Sequence, residues 1–263
     1  MAIYLSNRMS SVQPAVIPQV AELIRQNPDT ISLGQGVVFY PPPPTSLASI
    51  NKFGSTSKEH HYQSANGLPE FIDALSLKLE TENNIKIDEG STVMVTAGSN
   101  MAFYYSLLAI ADPGDEIIIP TLCWSTSLWP IIQANLKPVF VDIDKDTLNI
   151  DKFKIERKIN KKTKAILLVH ALGNSCDMDH IMRIKKKYNL ILIEDTCESI
   201  GSKFKDKYLG TFGEFSSFSF YSSHQISAGE GGMICCKNKI DYNIIKSLRS
   251  HGWSRGTIYE KRF

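Results

Sequence analysis

Residues 190–201 read Leu-Ile-Leu-Ile-Glu-Asp-Thr-Cys-Glu-Ser-Ile-Gly, four apolar residues followed by two carboxylates. A short apolar run bounded by polar residues is typical of a buried strand. A carboxylate at the tip of such a strand needs a partner, because burying it unpaired costs several kcal/mol. For Asp195 the candidate partners are a protonated ring nitrogen, a metal ion, or the N-terminus of a following helix, which an aspartate commonly caps.

Six similar apolar runs flank this one and alternate with amphipathic stretches. The runs predict strands at 92–96, 116–119, 138–142, 165–169, 190–194, 216–220 and 232–236. The amphipathic stretches predict helices at 100–111, 125–134, 151–159 and 178–188, and an earlier helix through 68–79 with Pro69 in its first turn. This alternation predicts an α/β fold with a mostly parallel seven-stranded sheet and helices on both faces.

The composition narrows the classes of function. The chain has 263 residues, 43% of them hydrophobic, and its 29 basic and 27 acidic side chains leave a formal charge of +2. Such a balance offers no long-range attraction to nucleic acid or to an anionic membrane. Without a signal peptide or a long apolar span, we expect a cytoplasmic protein. The five cysteines form no CxxC pair, so neither a disulfide framework nor a zinc site is expected.

A possible phosphate site lies at the carboxyl end of the first predicted strand, where open α/β sheets bind ligands. The sequence Thr-Ala-Gly-Ser-Asn at 96–100 follows that strand and opens a helix. The backbone N–H groups of Gly98 and Ser99 would then face a bound anion such as phosphate. A turn of this kind is also often only a helix cap, and the residues alone leave both possibilities open.

Two further groups follow other strands. Residues 218–232 combine hydroxyls, including that of Ser219, with His224 and a glycine-rich turn. Such a loop suits an anion, and a histidine carries protons near neutral pH, although a loop histidine is also a common structural hydrogen-bonder. Trp124 follows the second strand, where its ring would either stack on a planar cofactor or fill the core.

From about residue 123 to residue 256 the chain resembles the DegT/DnrJ/EryC1/StrS family of pyridoxal-phosphate sugar aminotransferases, a branch of fold type I. The resemblance rests on residues 194–201, on Leu-Gly-Thr-Phe-Gly at 209–213 and on the 218–232 loop. It implies pyridoxal 5'-phosphate or pyridoxamine 5'-phosphate as the cofactor. It also implies that Asp195 pairs with the ring nitrogen, that Trp124 stacks on the ring, that Glu198 lies near it, and that the phosphate is held by Gly98, Ser99 and Ser219.

His224 occupies the position at which this family ordinarily has a lysine bound to the cofactor as a Schiff base. The replacement resembles the nucleotide-sugar 3-dehydratase branch, in which histidine takes that place. Imidazole cannot form this bond, so the cofactor would be held non-covalently and His224 would act as general base and acid. The resemblance therefore implies 3-dehydration of an NDP-4-keto-6-deoxyhexose in deoxysugar or O-antigen biosynthesis, with glutamate restoring the cofactor. A sugar or amino-acid aminotransferase and a catalytically degenerate cofactor-binding fragment remain alternatives.

The amino-terminal part has a different resemblance. Residues 1 to about 120 are more similar to class I aminotransferases, through Gly34-Gln35-Gly36, His61-Tyr62 and the 96–100 turn. We expect residues 1–90 to form an arm and helices that lead into a cofactor-binding large domain at 91–263, which stops before the small carboxy-terminal domain of full-length relatives. Because fold type I enzymes build each site from two subunits, we also expect a homodimer.

Overall fold

The computed structural model describes residues 16–32, 40–87 and 92–260, together with Asn7 and Gln13. The chain divides into two compact units, Met1–Pro42 and Pro43–Phe263. The first unit contains helix α1 (Val16–Gln26), which is amphipathic and has no buried residue. The Gly34-Gln35-Gly36 motif lies outside the described residues.

The second unit is built on a seven-stranded sheet with the lateral order β1-β9-β8-β5-β4-β2-β3. Its strands are β1 (Thr92–Thr96), β2 (Glu116–Pro120), β3 (Lys137–Val141), β4 (Thr163–Val169), β5 (Ile191–Asp195), β8 (Phe215–Ser219) and β9 (Gly232–Cys236). Only β9 among these runs antiparallel to the rest. All seven predicted strands are confirmed, each with bounds within two residues of the prediction. A separate two-stranded hairpin, β6 (Lys203–Phe204) and β7 (Lys207–Tyr208), was not predicted.

Seven helices are described in the second unit. They are α2 (Pro44–Lys52), α3 (Pro69–Asn83), α4 (Gly98–Ile110), α5 (Ser125–Gln133), α6 (Lys152–Ile155), α7 (Met178–Tyr188) and α8 (Lys239–Arg249). The predicted helix at 151–159 is wrong in its extent, because α6 ends at Ile155 and a 3-10 turn occupies 156–158. The sequence analysis did not predict α1, α2 or α8. None of the helices in the described part of the chain is long and apolar enough to cross a membrane.

Helices cover both faces of the sheet, as predicted. Because successive strand residues point to opposite faces, Ile117 and Ile193 pack with α4, α5 and α8, whereas Ile118 and Leu192 pack with α6 and α7. Helix α3 packs on a third cluster around Val93. Each fully buried side chain of this size contributes about 1.5–3 kcal/mol to folding, so the two layers hold the sheet rigidly beneath its loops.

Candidate active site

The antiparallel strand β9 brings three loops together at one edge of the sheet. The last residue of β1, Thr96, pairs with Gly232, the first residue of β9, and Gly232 pairs in turn with Ser219, the last residue of β8. The carboxyl end of β5, with Asp195, lies at the same edge, because Asp195 pairs with Ser217 of the parallel strand β8. The predicted site residues on β1, β5 and β8 are therefore neighbours at one edge.

The start of α4 is a cradle with no side chain filling it. Gly98 has a φ of +78°, and a Cβ placed on it would meet no atom within 4 Å. Ala97 precedes the helix and supplies no side-chain cap, so the first N–H groups of α4 are available to an anion. A Cβ at Gly232 would come within 2.5 Å of the Gly98 carbonyl carbon and 2.6 Å of the Ser99 nitrogen. Only glycine at position 232 lets the helix start this close to the strand.

Asp195 is a buried anion whose hydrogen-bond partners are neutral. The side chain of Ser127 donates to Oδ2 at 2.6 Å, and the backbone N–H of Cys197 donates to Oδ1 at 3.1 Å. Asp195 is only 7% exposed, and no lysine, arginine or histidine of the described chain forms an ion pair with it. Such a carboxylate favours a cationic ligand.

Two nearby thiols are also uncharged. Burial raises the pKa of the Cys197 thiol well above its usual range, and the negative charge of Asp195 raises it further. Burial and the same charge raise the pKa of the Cys123 thiol. Neither cysteine becomes a second anion beside Asp195 at neutral pH.

The three candidate partners of Asp195 can now be compared. The helix-cap alternative is wrong, because a turn and not a helix follows β5. The described residues contain no group of three or more histidine, cysteine or acidic side chains able to hold a metal ion. A carboxylate with only neutral donors suits a cation, and the pairing of Asp195 with a protonated ring nitrogen stays a prediction.

Glu194 has a role that the sequence analysis missed. It is fully buried and accepts hydrogen bonds from the backbone N–H groups of Gly210, Phe212 and Gly213 at 2.8, 2.8 and 2.7 Å. A fourth contact comes from Nε2 of His170 at 3.3 Å. The signal was present in the sequence: adjacent strand residues point to opposite faces, so Glu194 and Asp195 cannot share one site. Glu194 instead fixes the 209–213 turn against β5.

His224 lies in the loop after β8, five residues beyond Ser219, and is partly buried. Its backbone N–H donates to the Tyr221 carbonyl at 3.0 Å, and its ring meets that of Tyr221 edge-on with 6.1 Å between centroids. The loop is tied to the turn after β5, because the Gln225 side chain donates to the Glu198 carbonyl at 2.7 Å. This bond holds the histidine loop beside the strand end that carries Asp195.

The loop that carries His224 contains no lysine. No lysine lies between Tyr208 and Lys237 in the sequence. The four lysines nearest to Ser219 along the chain are all exposed, as expected: Lys203, Lys205, Lys207 and Lys237. Lys237 follows the last residue of antiparallel β9, and its N–H donates to the carbonyl of Glu214 just before β8, which places it at the opposite edge of the sheet.

Trp124 and Glu198 both have exposed side chains. Trp124 directly precedes α5 and is 66% exposed, so the alternative that its ring fills the core is wrong. Its indole face is available for stacking. For Glu198 the position near a cofactor ring stays a prediction.

Comparisons with known proteins show which family this chain resembles. A model of the DegT/DnrJ/EryC1/StrS aminotransferase family matches residues 70–263. The chain is 42% identical over 170 residues to GDP-4-keto-6-deoxy-D-mannose 3-dehydratase of Yersinia pseudotuberculosis, covering 62% of this chain and 43% of that protein. It is 38% identical over 183 residues to GDP-perosamine synthase of Escherichia coli O157:H7, covering 69% of this chain and 49% of that protein.

A solved structure shares the fold. The E. coli GDP-4-keto-6-deoxy-D-mannose-3-dehydratase with bound hydrated PLP has a TM-score of 0.72 and 30% sequence identity, covering 86% of this chain and 57% of that chain. The chain thus spans about half the length of the relatives that it matches.

Proposed function

The chain belongs to the DegT/DnrJ/EryC1/StrS aminotransferase family, and from this premise we propose that it acts with pyridoxal or pyridoxamine phosphate on a nucleotide sugar. Its large domain has the fold of type I pyridoxal-phosphate enzymes. The reaction that we propose is 3-dehydration of an NDP-4-keto-6-deoxyhexose. The 3-dehydratase among the relatives supports this assignment by its similarity to the chain.

The observation that carries the proposal is a histidine, and not a lysine, in the loop after β8. His224 occupies the position of the family's cofactor-binding lysine, and no lysine lies between Tyr208 and Lys237 in the sequence. A covalent bond to the cofactor requires a primary amine. A cofactor that is held non-covalently keeps its own amine for the substrate.

The residues present fit this cofactor. The uncapped start of α4, with open space beside Gly98, suits a phosphate. The buried Asp195 carboxylate, which has only neutral donors, suits a protonated pyridine nitrogen. The exposed ring of Trp124 suits a planar ring. We propose that Ser219 contributes to the phosphate site and that Glu198 lies near the ring.

When bound, pyridoxamine phosphate supplies an amine for the sugar ketone and a ring that withdraws electrons. The chain's own residues orient that ring and move protons. Asp195 holds the ring-nitrogen proton by its negative charge. The imidazole of His224 takes up a proton at one stage and returns it at another, acting as general base and then as general acid.

The remaining parts of the proposal rest on the family resemblance. We propose glutamate as the amine donor, a homodimer as the working form, and the cytoplasm as the location. We also propose residues 91–263 as the cofactor-binding large domain and 1–90 as the arm and helices leading into it. The half-exposed apolar side chains of Trp129 and Ile132 on α5 are consistent with a subunit contact.

A conventional aminotransferase is the second candidate, because GDP-perosamine synthase is almost as similar to the chain as the dehydratase is. Reduction with borohydride separates the two. We expect the chain incubated with pyridoxal phosphate to show no covalent cofactor by mass spectrometry after reduction. When a 4-keto-6-deoxy sugar nucleotide and glutamate are both present, we also expect dehydration of the sugar with release of ammonia, whose nitrogen glutamate supplies.

The matched variant is His224→Lys, which we expect to become covalently labelled on reduction and to lose dehydration. Specific labelling of a lysine in the pocket of the unmodified chain would favour the aminotransferase. Cofactor binding without turnover would favour a degenerate fragment. An unlabelled His224→Lys variant would contradict the position assigned to His224.

A further inference from the structure

Ser127 makes a short hydrogen bond to the site, although it lies 68 residues before its partner in the chain. Its Oγ donates to Oδ2 of Asp195 at 2.6 Å, and the Ser127 side chain is fully buried. Ser127 is the third residue of α5, a helix that packs against the sheet containing β5. Because the buried hydroxyl of Ser127 has no access to water, it keeps its hydrogen bond to Asp195. This bond fixes the position of α5 relative to β5.

The Asp195 carboxylate is held at both oxygens by two different elements. Ser127 on α5 binds Oδ2, and the backbone N–H of Cys197 after β5 binds Oδ1 at 3.1 Å. One donor on each oxygen restricts rotation of the carboxylate plane. Because both donors are neutral, they orient the group without cancelling its negative charge.

Ser127 is also tied to the residue that we assign to ring stacking. Its backbone N–H donates to the carbonyl of Trp124 at 2.9 Å, within the first turn of α5. The N-terminal end of α5 thus carries both the backbone bond to Trp124 and the side-chain bond to Asp195.

We propose that Ser127 is a positioning residue that orients Asp195 toward the ring nitrogen of the cofactor. This inference rests on the cofactor site proposed above. It predicts that loss of the hydroxyl turns the carboxylate out of line with the ring nitrogen. The ring nitrogen then loses its proton at a lower pH, and the cofactor binds more weakly.

The test measures the ring nitrogen directly. The full chain and its variants are loaded with pyridoxal phosphate labelled with ¹⁵N in the ring, and the ¹⁵N chemical shift is followed against pH. For Ser127→Ala we expect a lower titration midpoint and roughly tenfold weaker binding, as for loss of one hydrogen bond that orients a charged group. Ser127→Cys keeps the size of the side chain with a weaker donor and should fall between.

Ser106→Ala is the matched control, because the Ser106 hydroxyl is equally buried but donates to the Ala102 carbonyl within α4. We expect its ¹⁵N titration to equal that of the unmodified chain. If Ser127→Ala does not fold, Ser127→Cys gives the answer. An unchanged midpoint in the Ser127 variants overturns the proposal. A higher midpoint also overturns it, because the hydroxyl would then weaken the carboxylate charge and not orient it. Failure of the unmodified chain to bind the cofactor would instead refute the proposed function.

Discussion

Replacing Gly232 by alanine tests whether the start of α4 is the phosphate site. The new Cβ would lie 2.5 Å from the Gly98 carbonyl carbon and 2.6 Å from the Ser99 nitrogen, where ordinary contacts begin at 3.4 Å. Both atoms belong to the backbone, so no side chain can swing away. The first turn of α4 must therefore withdraw from β9 by about 0.9 Å to restore ordinary contact.

Two effects follow from this displacement. Overpacking of a tight site costs about 1–3 kcal/mol of folding free energy. A hydrogen bond to a charged group contributes about 1.5–3 kcal/mol, so misplacing one phosphate donor should weaken pyridoxal-phosphate binding by roughly ten- to hundredfold. We expect both losses in Gly232→Ala, measured by urea unfolding and by titration with pyridoxal phosphate.

The matched control is Gly213→Ala, whose Cβ would lie 2.5 Å from the Leu192 carbonyl oxygen. This clash is as severe, but it lies just before β8 and therefore at the opposite edge of the sheet from the start of α4. We expect a similar loss of stability with nearly unchanged cofactor affinity in the folded fraction. Equal cofactor affinities for the two variants would refute the assignment of the α4 start as the phosphate site.

Three other predictions concern stability and thiol chemistry. Glu194→Gln should lower the free energy of unfolding in urea by about 2–4 kcal/mol. The two carboxylate oxygens together accept three backbone N–H groups, which the single amide oxygen of glutamine cannot do. A loss below about 1 kcal/mol would contradict the role of Glu194 in fixing the 209–213 turn. The Lys152 hydrogen bond, helped by the N–H of His180, lowers the pKa of Asp177, so the ionised form stabilises the fold at neutral pH and this stabilisation is lost as pH falls below about 4. Unfolding of Asp177→Asn should accordingly differ most from the unmodified chain at pH 7 and converge with it near pH 3, whereas a gap that is constant with pH would refute the ion pair. Desolvation raises the pKa of Cys235 to about 12, so this thiol should react slowly with Ellman's reagent at pH 8 and rapidly in guanidinium; fast reaction of Cys235 in the native protein would contradict the raised pKa.

Most strands were predictable because they contain short apolar runs that are largely buried on both faces, as in β2, β4 and β5. The five-residue run of β9, for example, was predicted with its observed bounds. Helix α8 and the β6–β7 hairpin were not predicted. Only Asn243 and Ile245 of α8 are buried, so its apolar stripe is narrow, and the strands of the β6–β7 hairpin are two residues long, too short to show a period.

The site was predictable where it is local. Asp195 follows one apolar run, and Gly98 follows a second apolar run and opens a helix. A few neighbouring residues are therefore enough to identify each of them. The residues that bind the carboxylates of Asp195 and Glu194 cannot be identified from the neighbouring sequence. Ser127 lies 68 residues from Asp195, and the donors to Glu194 lie 16 to 24 residues from it.

The sequence by itself determined the strands and most of the helices that cover the sheet, because these depend on residue type and short-range periodicity. The replacement of an amine by an imidazole at position 224 is what the family resemblance implies. Only the tertiary structure decided that Gly232 touches the start of α4 and that Ser127 holds Asp195. Those contacts depend on the lateral order of the strands and on the reversed direction of β9. A buried strand is apolar whatever strands lie beside it. Its residue types therefore do not specify its neighbours in the sheet.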